Sequence, residues 1–456
     1  MNRLKAAALI LLASPALTTA NAADWSRFRG ENGSGVAADS TPTPTEWSET
    51  KNLKWSAPLP GPGKSSPIVV GNRVILTCWT GENPPEDLKR HILCFDCNTG
   101  EQLWAKDVPP TTPDEPFREM FTENGYASHT PASDGERIYA FFGLSGVVAF
   151  DMDGNELWRA SVGQGTDPNN WGTASSPILY KDLVIITAAS ESTALVALNK
   201  ATGEEVWRQE GEGLQGCWGT PVLADAASGS QELVIAVPGE LWGVNPDSGK
   251  LRWYVEGPQS RSICCSAIAE DGIAYVVGGR DSGSMAVRAG GKGDARESQL
   301  LWSNNRRGGI GTPLVTDGLI YSITGGVVTC LDAATGDRVY EKRLEAPSAA
   351  AAPSQADRPA EGQGFGKPGE YAQPGAGGRG GMRQQDYSSP VVADGKLYFV
   401  RRGGETYVLA TGRDFKQLAV NKFAGDDGDF SATPAVSDGA LFIRSSNKLY
   451  CVAQSP

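Results

Sequence analysis

Short apolar runs rich in β-branched and aromatic side chains, among them Val74-Ile75-Leu76, Leu183-Val184-Ile185-Ile186, Leu233-Val234-Ile235 and Leu397-Tyr398-Phe399-Val400, are separated by tight polar turns. An amphipathic helical pattern is almost absent. A repeat orders the runs. A Ser or Thr followed by Pro, an apolar pair and a turn recurs as Ser66-Pro67, Thr130-Pro131, Ser176-Pro177, Thr220-Pro221, Thr312-Pro313, Ser389-Pro390 and Thr433-Pro434, with Ser266-Ala267 in the one gap. The second residues of these anchors are 64, 46, 44, 46, 46, 77 and 44 apart, which gives eight units and two long intervals. The turn inside a unit is often Asp-Gly, at Asp134-Gly135, Asp271-Gly272, Asp317-Gly318, Asp394-Gly395 and Asp438-Gly439, the two-residue type whose twist fits a hairpin. A third strand and a second tight turn follow. An aromatic residue then marks a fourth strand: Trp104, Trp158, Trp207, Trp253, Trp302 or Tyr340.

Four short antiparallel strands repeated eight times predict an all-β fold, an eight-bladed β-propeller, in which radial repetition leaves only short protected edges. After Pro434 there is room for three strands ending at Leu449-Tyr450-Cys451, while Leu53-Lys54-Trp55 is a strand without a unit. Trp55 is therefore expected to complete the last blade, so that an N-terminal strand closes the ring. The expected organisation is an extension over 23–46 and a propeller over 47–456. Residues 345–385, crowded with Ala, Pro, Gly, Arg and Gln, are expected to form a disordered excursion, because they offer too little apolar surface to offset ordering entropy.

Composition narrows the function classes. With 41 Lys plus Arg against 53 Asp plus Glu, the formal charge of −12 and the absence of a Lys/Arg stripe argue against a nucleic-acid binder. Residues 1–22 read as a secretory signal: Arg3 and Lys5, the apolar run Ala6 to Ala13, and the small residues Ala20-Asn21-Ala22 at the cleavage point. The apolar run is shorter than the roughly 20 residues of a membrane span, so a soluble, periplasmic or secreted monomer is expected. Of the eight Cys, Cys94 and Cys97 lie two residues apart, but no second pair and no nearby His completes a zinc set, so no metal is expected there.

The units Cys94 to Trp104, Ala197 to Trp207 and Cys330 to Gly336, each with a Thr-Gly turn, resemble the tryptophan-docking repeat of the pyrroloquinoline-quinone (PQQ)-like propellers over about residues 47–454. The opening Asp24-Trp25-Ser26-Arg27-Phe28-Arg29-Gly30-Glu31-Asn32-Gly33 looks like the start of exported PQQ-like repeat proteins of planctomycete type. The resemblance implies two functional branches: quinoprotein dehydrogenases that hold PQQ and Ca²⁺ over the propeller axis, and non-enzymatic propellers such as the lipoprotein of outer-membrane barrel assembly.

The residues just before each anchor should line the channel entry. Most are small, as crowding at the axis requires. The exceptions Lys64, His129, Trp218 and Tyr387 are candidate ligand-binding residues, together with Cys264 and Cys265, because the resemblance places an adjacent-Cys disulfide against PQQ in the dehydrogenases. Strand alternation, however, points neighbouring thiols to opposite faces. The carboxylate base and Ca²⁺ ligands of a dehydrogenase cannot be placed at the family's spacing, and Asp426-Asp427-Gly428-Asp429 reads as a solvated turn. The long interval Thr111 to Tyr126, with Glu115, Arg118, Glu119 and Glu123 among aromatics, is a candidate cover for one mouth. No catalytic set is legible. The expected function is thus an exported, non-enzymatic scaffold for a protein, peptide or polysaccharide partner that requires no cofactor; the alternative is a PQQ- and calcium-dependent alcohol or sugar dehydrogenase.

Overall fold

The structure is a computed structural model that describes residues 24–37, 41–82, 84–257, 259–278, 283–346 and 385–454. The signal read in 1–22 and nearly all of the 345–385 excursion lie outside the described residues. Eight separate sheets, each with four antiparallel blade strands, stand around one axis, seven of them built outward in chain order. Their inner strands are Ile68–Val70, Ala132–Ser133, Ile178–Tyr180, Val222–Asp225, Ile268–Glu270, Leu314–Thr316, Val391–Ala393 and Ala435–Ser437. The eighth sheet takes its outermost strand from Leu53–Pro58, paired with Lys448–Val452 so that Trp55 lies opposite Cys451. The ring closes as the repeat predicts.

Both short signals have a physical cause in the fold. At Asp271-Gly272, Asp317-Gly318, Asp394-Gly395 and Asp438-Gly439 both residues take positive φ, the type I′ turn that matches strand twist. Asp134-Gly135 differs: only Gly135 has positive φ, and the Asp134 carboxylate closes a longer loop by accepting the Glu136 and Arg137 amides. The Ser/Thr of the anchors does more than mark a strand. Each anchor amide donates to the anchor hydroxyl of the next blade, Ser66 to Thr130, Thr130 to Ser176, and so on through Thr433, whose amide donates back to Ser66 Oγ. All eight bonds are 2.9–3.1 Å long and buried. Thr433→Val keeps the shape but strands the Ser389 amide, and a buried unsatisfied donor costs about 1–3 kcal/mol. A guanidinium unfolding midpoint unchanged by that substitution would refute the role of the ring.

The outer aromatics stitch neighbouring blades. The indole N–H groups of Trp104, Trp158, Trp207 and Trp302 donate to carbonyls in the next blade's turn, at Met152, Lys200, Pro246 and Ala333, over 2.9–3.1 Å. Trp55 does the same to Cys97 across the closure, at 2.9 Å. Each ring lies on a turn glycine of positive φ, such as Gly203, where a Cβ would sit 2.5 Å from Trp158. Trp253 departs from the expected pattern. Its cross-strand partner is Gly243, whose missing Cβ leaves room for the ring. Fully buried, it donates to the Glu232 carboxylate of its own blade at 2.6 Å, and Glu232 also accepts the Gly290 amide. In place of a tight turn, the next blade offers a longer loop whose Gly293–Asp294 adds a fifth strand to the fourth sheet.

The N-terminal segment straps the end of the channel where the inner strands turn back. Trp25 exchanges backbone bonds with Val69, the Ser26 carbonyl accepts the Ser133 amide, the Asn32 side chain bonds both backbone groups of Leu223, and Val392 bonds Gly35 and Ala37. Arg27 and Arg29 are buried. They donate to the anchor-region carbonyls of Pro221 and Thr312, at 3.2 and 2.8 Å. Burial pulls their pKa values down to about 10 and about 9. Gly30, at φ 68, passes so close to Trp25 that a Cβ would lie 2.6 Å from its ring. The segment Asp24 to Ala37, which opens with the Asp24 to Gly33 motif, is therefore a strap across five blades, a role that its sequence alone does not show. No helix among the described residues is long and apolar enough to cross a membrane.

Candidate functional site

The opposite end of the channel is formed by the connections that enter the inner strands and by the turns between second and third strands. The excursion after the first blade crosses it. Trp79, on the second strand of that blade, packs against Phe117 and Tyr126 with ring centroids 4.9 and 5.2 Å away, and Phe121 lies 4.9 Å from Tyr126. Arg90 pairs with Asp114 in a buried bridge and lies over the Tyr126 ring. These contacts fix the single helical turn Phe121–Asn124, ended by Gly125 at φ 66. From it Glu123 reaches the far rim, where its Oε2 accepts the Tyr387 hydroxyl at 2.9 Å and Arg402 Nη1 at 2.8 Å. Asn124 donates to the Trp171 carbonyl, in the connection between blades two and three. The excursion thus covers the mouth as well as packing on a blade.

The far rim is an ordered set of charges. Arg402 Nε lies 2.9 Å from Asp429 Oδ2, and Lys64 Nζ lies 3.0 Å from the same oxygen. The Arg402 amide donates to Asp386, which also pairs with Arg401. Lys64 and Arg402, joined through Asp429, both approach the Tyr387 ring, their cationic centres 5.5 and 5.4 Å from its centroid. Burial works to raise the Asp429 pKa, but the Lys64 and Arg402 cations outweigh it and hold the carboxyl below its ordinary value. The Tyr387 phenol is pushed up by burial and by the Glu123 charge.

A cavity of ≈ 30 Å³, lined by Arg90, Glu115, His129, Thr173 and Glu191 among others, lies beneath the excursion. That is room for roughly two waters. His129 Nε2 and Thr173 Oγ1 are 3.3 Å apart, and Thr173 also bonds the Glu191 carboxyl. Glu191 is 3 % exposed and its Oε2 has no partner among the described residues. Burial pushes its pKa up to about 7. Burial first, and the Arg90 charge second, pull His129 down to about 3. At neutral pH the imidazole is therefore neutral, suited neither to pair with an anion nor to donate a proton.

The six residues singled out from the sequence fall in three places. Lys64 and Tyr387 belong to the rim cluster, and His129 lines the cavity. Trp218 and Cys264 are half-buried on the connections into blades four and five, and Cys265 packs in the core between those blades. Trp218 Nε1 donates to the Gly172 carbonyl at 2.8 Å, which pins the indole to the neighbouring connection. Cys265 is buried with Sγ on the Val277 carbonyl, Cys264 is half-buried, and no disulfide joins any of the eight cysteines in the structure. Sequence reasoning passed over Arg402 and Glu191 and set Asp429 aside in a solvated turn. The acidic turn is not solvated as expected: Asp426 is buried and accepts Ser445 and Tyr450 hydroxyls at 2.6 and 2.7 Å, Asp429 holds the rim cations, and only Asp427 is exposed. An arginine pair followed by two glycines, at 401–404, was the one local signal for Arg402.

The family model for outer membrane protein assembly factor BamB matches residues 23–170, 88–342 and 292–455. Among solved structures, BamB from Moraxella catarrhalis is 11% identical, covering 88% of this chain and 97% of that one, with a TM-score of 0.58. A europium-containing methanol dehydrogenase is 13% identical over 94% of this chain and 98% of its own, with a TM-score of 0.60. The quinohemoprotein alcohol dehydrogenase from Comamonas testosteroni is 10% identical over 96% and 82%, with a TM-score of 0.61. At these identities the likeness is one of fold. No curated protein matches the sequence.

Proposed function

The chain belongs to the PQQ-like propeller family described as outer membrane protein assembly factor BamB, and from that premise we propose that it is an exported, non-catalytic scaffold whose mouth face binds a protein or peptide partner. The observation that carries the reading is the state of the mouth carboxylates. Glu123 is committed to Arg402 and Tyr387, and Asp429 to Lys64, Arg402 and the Ser431 amide and hydroxyl. A Ca²⁺ site needs six to eight oxygen ligands free of competing cations. Here guanidinium and ammonium groups fill that role, and the excursion stands across the entry. The residues of the mouth therefore do not suit PQQ with Ca²⁺. What the mouth offers is a rigid display of loops with paired charges and aromatic rings, a surface suited to recognition.

The test has two arms. A photo-crosslinking side chain at Arg118, exposed on the excursion, is expected to trap a partner protein from the exported fraction, whereas one at Asn72, exposed at the strapped end, is not. Calorimetric titration of residues 23–456 with PQQ plus Ca²⁺ is expected to give no saturable heat. One-to-one binding there would overturn the scaffold reading in favour of a quinoprotein, and equal trapping at both positions would remove the mouth from it.

A further inference from the structure

The charges at the rim balance only because the excursion contributes one. Lys64, Arg401 and Arg402 face Asp386, Asp429 and Glu123, three cations against three carboxylates. Five of the six belong to blades seven and eight and their connections. Glu123 alone comes from the crossing excursion, and it sits on a helical turn of four residues. The half that receives it is organised without it. Arg402 is held by Asp429 through Nε and by Asp386 through its amide, and the Tyr387 ring packs against Lys64 and Arg402. One guanidinium edge and one phenol O–H are thereby aimed at a single point, the position of Glu123 Oε2. Such a pair makes a carboxylate receptor, and charge-assisted bonds of this kind are stronger than neutral ones. The receptor is also reachable: the side chains of Lys64, Glu123 and Arg402 are 19 %, 17 % and 23 % exposed.

We infer that the mouth is a receptor for a carboxylate of an acidic peptide segment in the partner, and that Glu123 occupies it as an internal stand-in which the partner displaces. The inference rests on the scaffold reading and deepens it by naming the partner's chemistry. An internal competitor of this kind is always at hand, so it masks the receptor from weak ligands and yields to a segment that makes further contacts. Arg261 and Arg307, exposed on connections of the same face, provide further cations for a segment with several carboxylates.

The test titrates a fluorescently labelled hexaglutamate peptide, with hexaglutamine as control, into the full mature chain at low salt. Glu123→Gln removes the internal carboxylate and is expected to tighten hexaglutamate binding about tenfold over the parent, the scale of one competing charge-assisted contact. Adding Arg402→Gln to Glu123→Gln is expected to abolish the gain, and adding Tyr387→Phe, which leaves the ring in place, to reduce it. Thermal unfolding of each variant shows whether the ring is intact. Equal affinity in the parent and Glu123→Gln, or a gain insensitive to both Arg402→Gln and Tyr387→Phe in folded protein, overturns the receptor. Citrate competing as well as the peptide at equal carboxylate concentration overturns the assignment to a peptide. These failures leave crosslinking at Arg118 unaffected, whereas loss of that crosslink alone removes the scaffold reading.

Discussion

A chain that begins at residue 59 is expected to lose the cooperative unfolding transition of the parent and to bind a dye specific for exposed apolar surface. Deleting Leu53–Pro58 uncovers the edge of Lys448–Val452 and strips the eighth sheet of its outer strand. It also removes Trp55, which is 8 % exposed, packs on Gly100 and donates to the Cys97 carbonyl, so the seam between the eighth and first blades has no aromatic stitch. The same truncation takes away the strap formed by Asp24–Ala37. A ring is unlike an open sheet in this respect, because failure at one seam exposes the flanks of both neighbours. Trp55→Ala in the otherwise complete chain isolates the seam, and loss of a buried Trp is expected to cost about 3–5 kcal/mol. If the shortened chain unfolds with the parent's midpoint and cooperativity, closure by the N-terminal strand contributes nothing to stability.

Replacing Glu191 with Gln is expected to raise stability by about 3 kcal/mol at pH 8 relative to the change at pH 4. Burial lifts the folded-state pKa of Glu191 from its ordinary 4.5 to about 7. Between those values the unfolded chain releases the proton and the native chain keeps it. The parent therefore loses stability as pH rises from about 4.5, and the loss levels off above about 7. Gln keeps the shape and does not titrate, so the parent-to-variant difference grows over that window and is flat outside it. His129 acts in the other direction. The unfolded imidazole takes a proton near 6.5 and the native one only near 3, so its contribution falls as pH drops through that range. Subtracting the two denaturation curves cancels this common effect. A difference that does not change between pH 4 and pH 8 would show that Glu191 is solvated in the native protein.

The anchors and Asp-Gly turns made the blades legible because strand alternation and turn chemistry are local. A Ser/Thr-Pro before an apolar pair is visible in any unit, and so is the count of eight. The hydrogen bonds between anchors were not legible, since Ser66 and Thr433 meet only when the ring closes. Trp253 shows the limit from the other side. Its fourth-strand position matches Trp207 and Trp302, yet Gly243 across the strand and the longer loop beyond it turn the indole toward Glu232. Lys64 and Tyr387 were reachable from the sequence because each sits at a fixed offset from an anchor. Glu123, Arg402 and Asp429 stand in loops of no regular spacing and carry no such offset.

The sequence by itself determined the all-β class, the eight units, their four-strand order and the mixed last blade, since each follows from side-chain alternation, turn residues and an unpaired strand at the N-terminal end. Only the tertiary structure decided that Glu123 meets Tyr387 and Arg402, residues 264 and 279 positions away, and that Arg27 and Arg29 are buried against anchor carbonyls. A propeller brings distant connections to one end of its axis, and the charges that meet there are set by the order of blades in space, which no local pattern in the chain records.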